Sequence, residues 1–251
     1  MKIDEIRISL KSSGIRPGDT LLIHGDSVVA AQLTEIPVER RLFILFKEII
    51  KYLGKNGTLV IPTFTYSLTK NELFDVNNTK SSIGFFSEYF RNMAGTIRSS
   101  HPIFSVSAIG KQKKLFKNSN IEDCFGEETS FGLLYKLNAK QMNLGCKFNL
   151  TFAHYVEQKL NVDYRYFKSF EGYIKKNKKK SFIKTNYFVG DKKINYKLHL
   201  ERLKKELLKN NKLKVVPFGR LASYTVSSKN FFIYSKLILD KNKYGLIEEG
   251  N

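Results

Sequence analysis

A histidine and a carboxylate that lie three residues apart could act together as a proton-transfer unit. His154 and Glu157 occur in the stretch Thr-Phe-Ala-His-Tyr-Val-Glu at 151–157. On a helix, residues at this spacing share a face, so the carboxylate can orient the imidazole. Such an imidazole can take a proton from an amine or a hydroxyl that attacks an electrophile. The pair predicts general-base chemistry, although the same spacing is also typical of a surface ion pair.

A second segment, 98–110, combines a fixed cation with several hydroxyl groups. Arg98 begins it, and a proline at position 102 precedes an apolar strand. Guanidinium and hydroxyl groups bind phosphates and amides. The alternative is a polar turn whose serines bond to nearby backbone groups, and the residue types leave both interpretations open. The hydroxyl-bearing residues of the segment are Ser99, Ser100, Ser105 and Ser107.

Several other kinds of site are disfavoured. The histidines lack the spacing of metal ligands, and neither HExxH nor CxxC occurs, so no metal is predicted. The sequence has no GxGxxG and no P-loop motif, which excludes the common dinucleotide and P-loop folds. Cys124 and Cys146 are too few for a disulfide framework and indicate a reducing, cytoplasmic setting. A catalytic thiol is disfavoured because no histidine lies near either cysteine in the sequence.

The positive charge is concentrated in one region of the chain. The net charge is +20, and residues 165–214 contain 17 Lys and Arg against 4 Asp and Glu. One interpretation is a surface that attracts phosphates on a nucleic acid, a nucleotide or a cofactor. The other is a genome rich in A and T, which would also explain the many Asn residues and the absence of Trp. No apolar run is long enough to span a membrane, and the N-terminus lacks the apolar core of a signal peptide.

The sequence predicts alternating helices and strands, which would position these residues. A helix predicted at 38–53 has apolar residues at helical spacing and stops at Gly54, which suits a helix C-terminus. Apolar strands are predicted on either side of it, at 19–24 and 57–62. This alternation predicts an α/β fold with a central mixed, partly parallel sheet flanked by helices.

The remaining elements complete this layout. Asn149 or Thr151 is expected to cap the helix that carries the histidine, and the lysine-rich loop 175–180 would join two strands as a hairpin. We expect a single domain, 1–251, with residues 165–214 as an appended basic hairpin and helix lobe. The predicted helices are 3–13, 84–93, 131–138, 154–160, 195–209 and 228–240, and the predicted strands are 103–109, 141–144, 164–174 and 181–189.

An ordered series of motifs gives the chain a family resemblance. No single motif is specific, but their order and spacing are. The chain resembles the aminoglycoside 3-N-acetyltransferase family, which transfers an acetyl group from acetyl-CoA to sugar amines and differs in fold from the GNAT acetyltransferases. The resemblance covers about 5–168 and, weakly, 215–245. The motifs are His24-Gly25-Asp26-Ser27, 57–65, Phe74-Asp75 with 78–81 and Gly84, 88–91, Gly95, 98–105, 123–126 and 151–157.

The resemblance implies an acetyl-CoA co-substrate and a role for each of eleven residues. His154 would be the base and Glu157 its partner, with Asp75 and Asp123 in the same active-site region. A backbone N–H group or the hydroxyl of Thr65 could stabilise the oxyanion of the tetrahedral intermediate. The residues expected to line the pantetheine and phosphate channel are Ser27, Thr63, Thr65, Arg98, Ser99, His101 and Ser105.

Departures from the family pattern concern the acceptor side. Lys80 and Cys124 mark two elements in which the family has a proline, and the loop after Arg165 becomes a basic hairpin. Aminoglycoside drugs are polycations, so the basic charge favours an anionic acceptor instead. We therefore expect a nucleotide-linked amino sugar or a surface-glycan precursor as the acceptor.

Other functions stay open at this stage. The acceptor could be an aminoglycoside drug or a hydroxyl group, and the donor could be another acyl-CoA. Outside enzymes, the alternative is a basic nucleic-acid-binding protein, although no helix-turn-helix, RNP or zinc-finger signature supports it. A homodimer is compatible with the sequence.

Overall fold

Helices and strands alternate along most of the chain. The computed structural model describes residues 1–191 and 193–250; Lys192 of the predicted lobe and Asn251 of the predicted domain lie outside the described residues. The helices are α1 (Ile3–Ser12), α2 (Val28–Ala31), α3 (Arg41–Leu53), α4 (Phe85–Arg91), α5 (Lys113–Lys117), α6 (Ser130–Lys136), α7 (Ala153–Lys159), α8 (Glu201–Lys209) and α9 (Ser228–Lys241). The strands are β1 (Thr20–Gly25), β2 (Thr58–Pro62), β3 (Phe74–Asp75), β4 (Ile97–Arg98), β5 (Val106–Gly110), β6 (Lys140–Leu144), β7 (Arg165–Lys176), β8 (Lys179–Gly190), β9 (Tyr196–Leu198), β10 (Lys214–Phe218), β11 (Leu221–Ser227) and β12 (Ile247–Glu249).

Three parallel strands form the centre of a seven-stranded sheet. The strand order is β10-β11-β6-β1-β2-β5-β4. Strand β1 pairs in parallel with β2 and β6, whereas the four outer pairings are antiparallel. The predicted mixed, partly parallel sheet flanked by helices is confirmed.

Side chains of the central strands alternate between two apolar layers. Leu21 and Ile23 of β1 pack in the layer formed with α1 and α3, and Leu22 packs in the layer on the opposite face. Burial of both faces explains why these strands are continuous apolar runs in the sequence. Both faces of the sheet are therefore covered, and the loops at the strand ends are the part of the sheet that a ligand can reach.

The carboxyl ends of the three central strands lie at the same end of the sheet. At this end the connections to the neighbouring strands leave β1 in opposite directions. From β1 the chain continues to β2 on one side, while β6 lies on the other side. The carboxyl ends of parallel strands on either side of such a switch point leave a crevice between their loops. Gly25, Pro62 and Leu144 end these strands, so the crevice lies beside them.

The basic hairpin is longer and more regular than the sequence predicts. Strands β7 and β8 pair over twelve positions, and only Asn177 and Lys178 form the turn. Both residues have left-handed φ angles, 49° and 67°, as a tight hairpin turn requires. The prediction that 175–180 forms the hairpin loop is therefore wrong in extent, because most of these lysines lie on strands. Strand β3 pairs in parallel with β7 and completes a second sheet.

The region after the hairpin differs from the prediction. The predicted helix 195–209 is wrong at its start, because Tyr196–Leu198 forms β9, which pairs with β12, and α8 begins at Glu201. Leu203 and Leu207 of α8 lie in the same apolar cluster as Phe231 of α9. Because this helix packs into the main body, the appended basic lobe is not confirmed. Six strands were not predicted because they are short or lie at or near sheet edges: β3, β4, β9, β10, β11 and β12.

None of the helices in the described part of the chain is both long and apolar enough to cross a bilayer.

Gly110 closes β5 against the start of β2 and should not tolerate a side chain. Its φ is +117°, and a Cβ atom would lie 2.2 Å from the carbonyl oxygen of Gly57. We expect Gly110→Ala to lower the free energy of unfolding by about 3 kcal/mol, measured by urea denaturation. Gly172→Ala is the control, because a Cβ there meets Leu68 only at ordinary contact distance, 3.5 Å. Equal losses in the two variants would contradict this interpretation.

Candidate active site

Helix α7 starts near the carboxyl edge of the sheet and presents the histidine–carboxylate pair. Nδ1 of His154 lies 2.6 Å from Oε2 of Glu157. Neither predicted cap is present, since Phe152 holds the N-cap position without a side-chain bond. The backbone of Asn149 is bound instead by the side chain of Asn143, whose Nδ2 donates to its carbonyl over 2.8 Å. The loop before α7 is thus fixed from β6, not by a capping side chain.

Glu157 is a buried carboxylate with three polar partners. Its side chain has no exposed area. Tyr164 donates its hydroxyl proton to Oε1 over 3.1 Å, and Nε of Arg165 lies 2.9 Å from Oε2. Burial by itself raises the pKa of Glu157, but His154, Arg165 and Tyr164 outweigh it and hold the pKa below its usual value. The carboxylate therefore stays ionised at neutral pH.

An ionised carboxylate decides which nitrogen of His154 can act. It can only accept hydrogen bonds, so Nδ1 carries the proton of the neutral ring and donates it to Glu157. Nε2 is then the nitrogen available as a base. The ring packs against Phe125 with 5.4 Å between centroids, and 18% of the side chain is exposed. The arrangement is that of a general base with one free nitrogen.

A cleft of about 360 Å³ lies at the carboxyl ends of β1, β2 and β6. Its rim includes Thr151, which directly precedes the turn into α7. Tyr66, also on its wall, has a φ of +56°, a left-handed conformation that is costly for an aromatic residue. A strained backbone conformation of this kind persists only where the surrounding contacts enforce it. Other residues that line the cleft are His24, Phe64, Ser87, Asn143, Cys146 and Lys147.

The predicted channel residues come together, but mostly inside the protein. Ser105 donates its hydroxyl proton to the Thr63 carbonyl over 2.6 Å and accepts from Nε of Arg98 over 3.1 Å. Arg98 also donates to the carbonyl groups of Val76, Thr79 and Thr63. Burial lowers the pKa of Arg98 to about 9. Residues with 8% exposure or less in this group are Thr63, Thr65, Arg98, Ser99, His101 and Ser105.

Two consequences correct the sequence-based assignment of these residues. The Thr65 hydroxyl donates to the Pro102 carbonyl over 2.8 Å, so its proton is not available to an oxyanion. Ser99 accepts from the Val106 amide. Six of the seven predicted channel residues therefore support the cleft from behind, and their burial does not support direct contact with a cofactor. Ser27, after β1, is the one that is not buried.

His101 has both ring nitrogens committed to the backbone. Nδ1 accepts from the amides of Ile103 and Phe104 over 3.2 and 2.9 Å, so Nε2 must donate to the Asp123 carbonyl, 3.1 Å away. Burial lowers the pKa of this ring to about 4. The predicted cofactor-binding histidine is a neutral link between two loops.

The two predicted aspartates are far apart. Both carboxylate oxygens of Asp123 accept from Nε2 of Gln158, over 3.0 and 2.8 Å, so this residue lies against α7. Asp75 instead pairs with Lys175, and its strand runs beside the far end of β7. Lys175 is ten residues along β7 from Arg165, which contacts Glu157. Ten residues of an extended strand span about 30 Å. The expectation that Asp75 shares the region of the base is wrong for that reason.

Four residues at the site were not predicted from the sequence. Arg165, Tyr164 and Gln158 hold the two carboxylates, and Tyr66 forms a cleft wall. Gln158 lies four residues after His154 on a predicted helix, a spacing that could have indicated a shared face. The others reach the site from separate elements and leave no local signal.

The cysteines and the acidic residues form no further reactive centre in the described ranges. Cys124 and Cys146 are both free thiols, and burial raises the pKa of each. Within residues 1–191 and 193–250, no group of three His, Cys, Asp or Glu side chains could hold a metal ion. The dyad lies on α7, which begins just after Thr151 of the cleft rim.

Comparison with known proteins identifies the family. The family model for aminoglycoside 3-N-acetyltransferase matches residues 32–239. The chain belongs to this family. It is 26% identical over 176 residues to the SPbeta prophage-derived aminoglycoside N(3')-acetyltransferase-like protein YokD of Bacillus subtilis (strain 168). That match spans 60% of this chain and 62% of YokD. Membership confirms the predicted resemblance.

Solved structures of the family share the fold. The apoenzyme of aminoglycoside acetyltransferase AAC(3)-IVa superposes with a TM-score of 0.76 at 21% identity, over 98% of this chain and 90% of that one. AAC-IIIb in a binary complex with CoASH gives 0.80 at 18% identity, over 96% and 97%. AAC-VIa bound to sisomicin gives 0.80 at 17% identity, over 96% and 98%. These likenesses establish the architecture of the chain.

The buried His101 ring should make folding stability depend on pH. Burial lowers its pKa from the usual 6.5 to about 4, so the unfolded chain binds more protons between these values. Stability from this group is therefore complete above pH 6.5 and is lost as the pH falls towards 4. At pH 5 the loss should be about 2 kcal/mol.

Urea denaturation at pH 7 and pH 5 measures this effect. His101→Asn cannot titrate, so its stability should change less between the two pH values than that of the wild type. His199→Asn is the control, because that ring is partly exposed beside Glu248 and should leave most of the pH dependence in place. A His101→Asn protein with the full wild-type dependence would show that another group is responsible.

Proposed function

We propose that the protein is an acetyl-CoA-dependent N-acetyltransferase that acts on the amine of an amino sugar. The observation that carries the proposal is the 2.6 Å pair of His154 and Glu157 beside the cleft, in a chain of this family. The two free cysteines support the cytoplasmic location that the sequence predicts.

The cleft suits the acyl donor in shape and chemistry. It has a volume of about 360 Å³ and lies outside the carboxyl ends of parallel strands, where phosphate-bearing ligands commonly bind. His24 lines it, and Nε2 of this ring has no hydrogen-bond partner within the described residues. Lys147 is exposed at the cleft and could pair with a phosphate group. AAC-IIIb, which shares the fold, has been solved with CoASH.

The chemistry follows from the free nitrogen of His154. The amine nitrogen bonds to the thioester carbonyl carbon while Nε2 takes the amine proton. Glu157 then stabilises the imidazolium without accepting its proton. The tetrahedral intermediate collapses by breaking the carbon–sulfur bond, and the proton on Nε2 passes to the departing thiolate. The products are an amide and CoA, with the histidine restored. Alignment of the two substrates supplies much of the rate, so no covalent enzyme intermediate is needed.

His154→Ala should separate binding from turnover. Loss of the base is expected to lower kcat at least 100-fold, while CoA binding, measured by calorimetry, changes less than twofold. His199→Ala is the matched control and should retain wild-type kcat. Unchanged kcat in His154→Ala would show that this ring is not the base. A thermal shift with DNA but none with CoA would favour the nucleic-acid-binding alternative.

We further propose that the acceptor is anionic, such as a nucleotide-linked amino sugar. The hairpin at 165–190 has eight Lys and Arg against one Glu. A row of aromatic contacts leads from His154 through Phe125 and Tyr187 to Phe170, with centroid distances of 5.4, 5.9 and 6.3 Å. Nζ of Lys168 lies 5.1 Å above the Phe170 ring. Phe125 is buried in the main apolar cluster, so the row packs the hairpin against the base, and the exposed Lys168 at its end could attract an anionic acceptor.

An aminoglycoside acceptor is the second candidate, and it has direct support from the comparisons. The family model bears that activity in its description, and AAC-VIa, with the same fold, was solved with sisomicin. Asp123, whose carboxylate lies against α7, could face a cationic acceptor. The two candidates differ in the sign of the acceptor charge, which kinetics can measure.

The sign of the acceptor charge can be tested by measuring how KM depends on salt concentration and on the charge-reversing substitution Lys168→Glu. For UDP-glucosamine we expect KM to rise several-fold between 50 and 300 mM NaCl, because salt screens attraction. Lys168→Glu should raise this KM by about fivefold at low salt. Lys236→Glu is the control, since that lysine pairs with Asp240 on α9. Efficient turnover of sisomicin with none of UDP-glucosamine, or a sisomicin KM lowered by Lys168→Glu, would establish the aminoglycoside alternative.

A further inference from the structure

The root of the basic hairpin carries a buried cation that contacts the dyad. Arg165 is the first residue of β7, and its side chain is only 7% exposed. Its Nε lies 2.9 Å from Oε2 of Glu157, the same oxygen that accepts from His154. Its Nη1 donates to the Phe188 carbonyl on β8 over 3.0 Å. The hairpin is thus joined to the reactive pair through one guanidinium.

The charge of Glu157 depends on its surroundings because water does not reach it. A fully buried carboxyl group with only neutral partners favours the protonated form. A protonated Glu157 would donate to Nδ1 of His154 instead of accepting from it. The proton of the neutral ring would then have to lie on Nε2, the nitrogen that the reaction needs free.

We propose that Arg165 is a positioning residue that keeps Glu157 ionised and so keeps the His154 ring proton on Nδ1. The kinetic consequence rests on the proposed acetyltransferase function. The tautomer itself is a property of the free protein and can be observed without turnover.

When the His154 ring is neutral, as in the free base, the other groups around Glu157 cannot replace this cation. Tyr164 donates a hydrogen bond to Oε1 but carries no positive charge, and burial raises its pKa. Tyr187 on β8 and Tyr196 on β9 also face this region, and burial raises the pKa of Tyr187 to about 12 and that of Tyr196 above its usual value. All three tyrosines are neutral at working pH. In the ranges 1–191 and 193–250, Arg165 is the one Lys or Arg within ion-pair distance of Glu157.

A purely structural role for Arg165 makes a different prediction. If the guanidinium only fastened β7 to β8 through the Phe188 carbonyl, its replacement would lower stability and leave the tautomer of His154 unchanged. The charge-retaining variant Arg165→Lys and the neutral variants Arg165→Met and Arg165→Gln separate the two roles. Two neutral variants are used so that failure of one to fold does not end the test.

The tautomer can be measured directly by ¹⁵N NMR. The chain has only four histidines, so His154 can be assigned by comparison with His154→Gln. At pH 8 we expect the wild-type ring to carry its proton on Nδ1. In folded Arg165→Met or Arg165→Gln, the Nε2–H form should become the major species, and Arg165→Lys should restore Nδ1–H. A folded neutral variant that retains Nδ1–H would overturn the proposal.

Kinetics provides the second measurement. Removal of the cation lets the dyad hold an additional proton at higher pH, so the acid limb of kcat/KM should move up by about one pH unit in Arg165→Gln. We expect kcat to fall about tenfold and KM for acetyl-CoA to stay within twofold. Arg165→Lys should recover most of kcat. An unshifted acid limb in an active Arg165→Gln enzyme would also overturn the proposal.

Two controls separate loss of charge from other effects. Tyr164→Phe removes one hydrogen bond to Glu157 without removing charge, so it should move the acid limb less than Arg165→Gln does. Lys236→Met removes an exposed cation of α9 that pairs with Asp240, far from the hairpin in the sequence, and should leave both tautomer and kcat unchanged. If wild-type protein shows no transferase activity, the proposed function fails, while the NMR result still decides the role of Arg165.

Discussion

The site depends on one buried negative charge. Glu157 has no exposed area, yet three neighbours hold its pKa below the usual value. An ion in such a place is stable only if its partners are aligned, since an unpaired buried charge costs several kcal/mol. The positions of α7, of Tyr164 and of the hairpin root are therefore coupled. The free nitrogen of His154 is the chemical result of that coupling.

The sheet explains why Glu157 is buried while its partner His154 lies near the cleft. Strand β1 has parallel neighbours on both sides, so the loops after β1, β2 and β6 diverge and leave a cleft. Helix α7 follows β6 and brings His154 to that edge. Two apolar layers pack against the strands on both faces of the sheet. His154 is on the short helix α7, whose preceding loop is bound by Asn143 of β6.

Behind the cleft lies a polar network that serves the same purpose. Arg98, Ser105 and Thr63 bond to each other and to backbone carbonyls, and His101 links two loops through both ring nitrogens. Buried polar groups that are fully bonded specify one arrangement and resist others. The segments they join include the start of the left-handed turn at Tyr66. This network supports the residues that line the cleft but does not itself face the cleft.

The sequence by itself determined the central strands, the long helix α3 and the His154–Glu157 spacing, because each is a local pattern of apolar period or helical neighbours. It also carried enough ordered motifs to indicate the family. Only the tertiary structure decided that Asp75 lies about 30 Å along the hairpin from the root that holds Glu157, and that the predicted channel residues are mostly interior. It alone brought Arg165 to Glu157. Residue type shows what a side chain can do, whereas burial and the pairing of distant strands decide whether a substrate or a carbonyl is its partner.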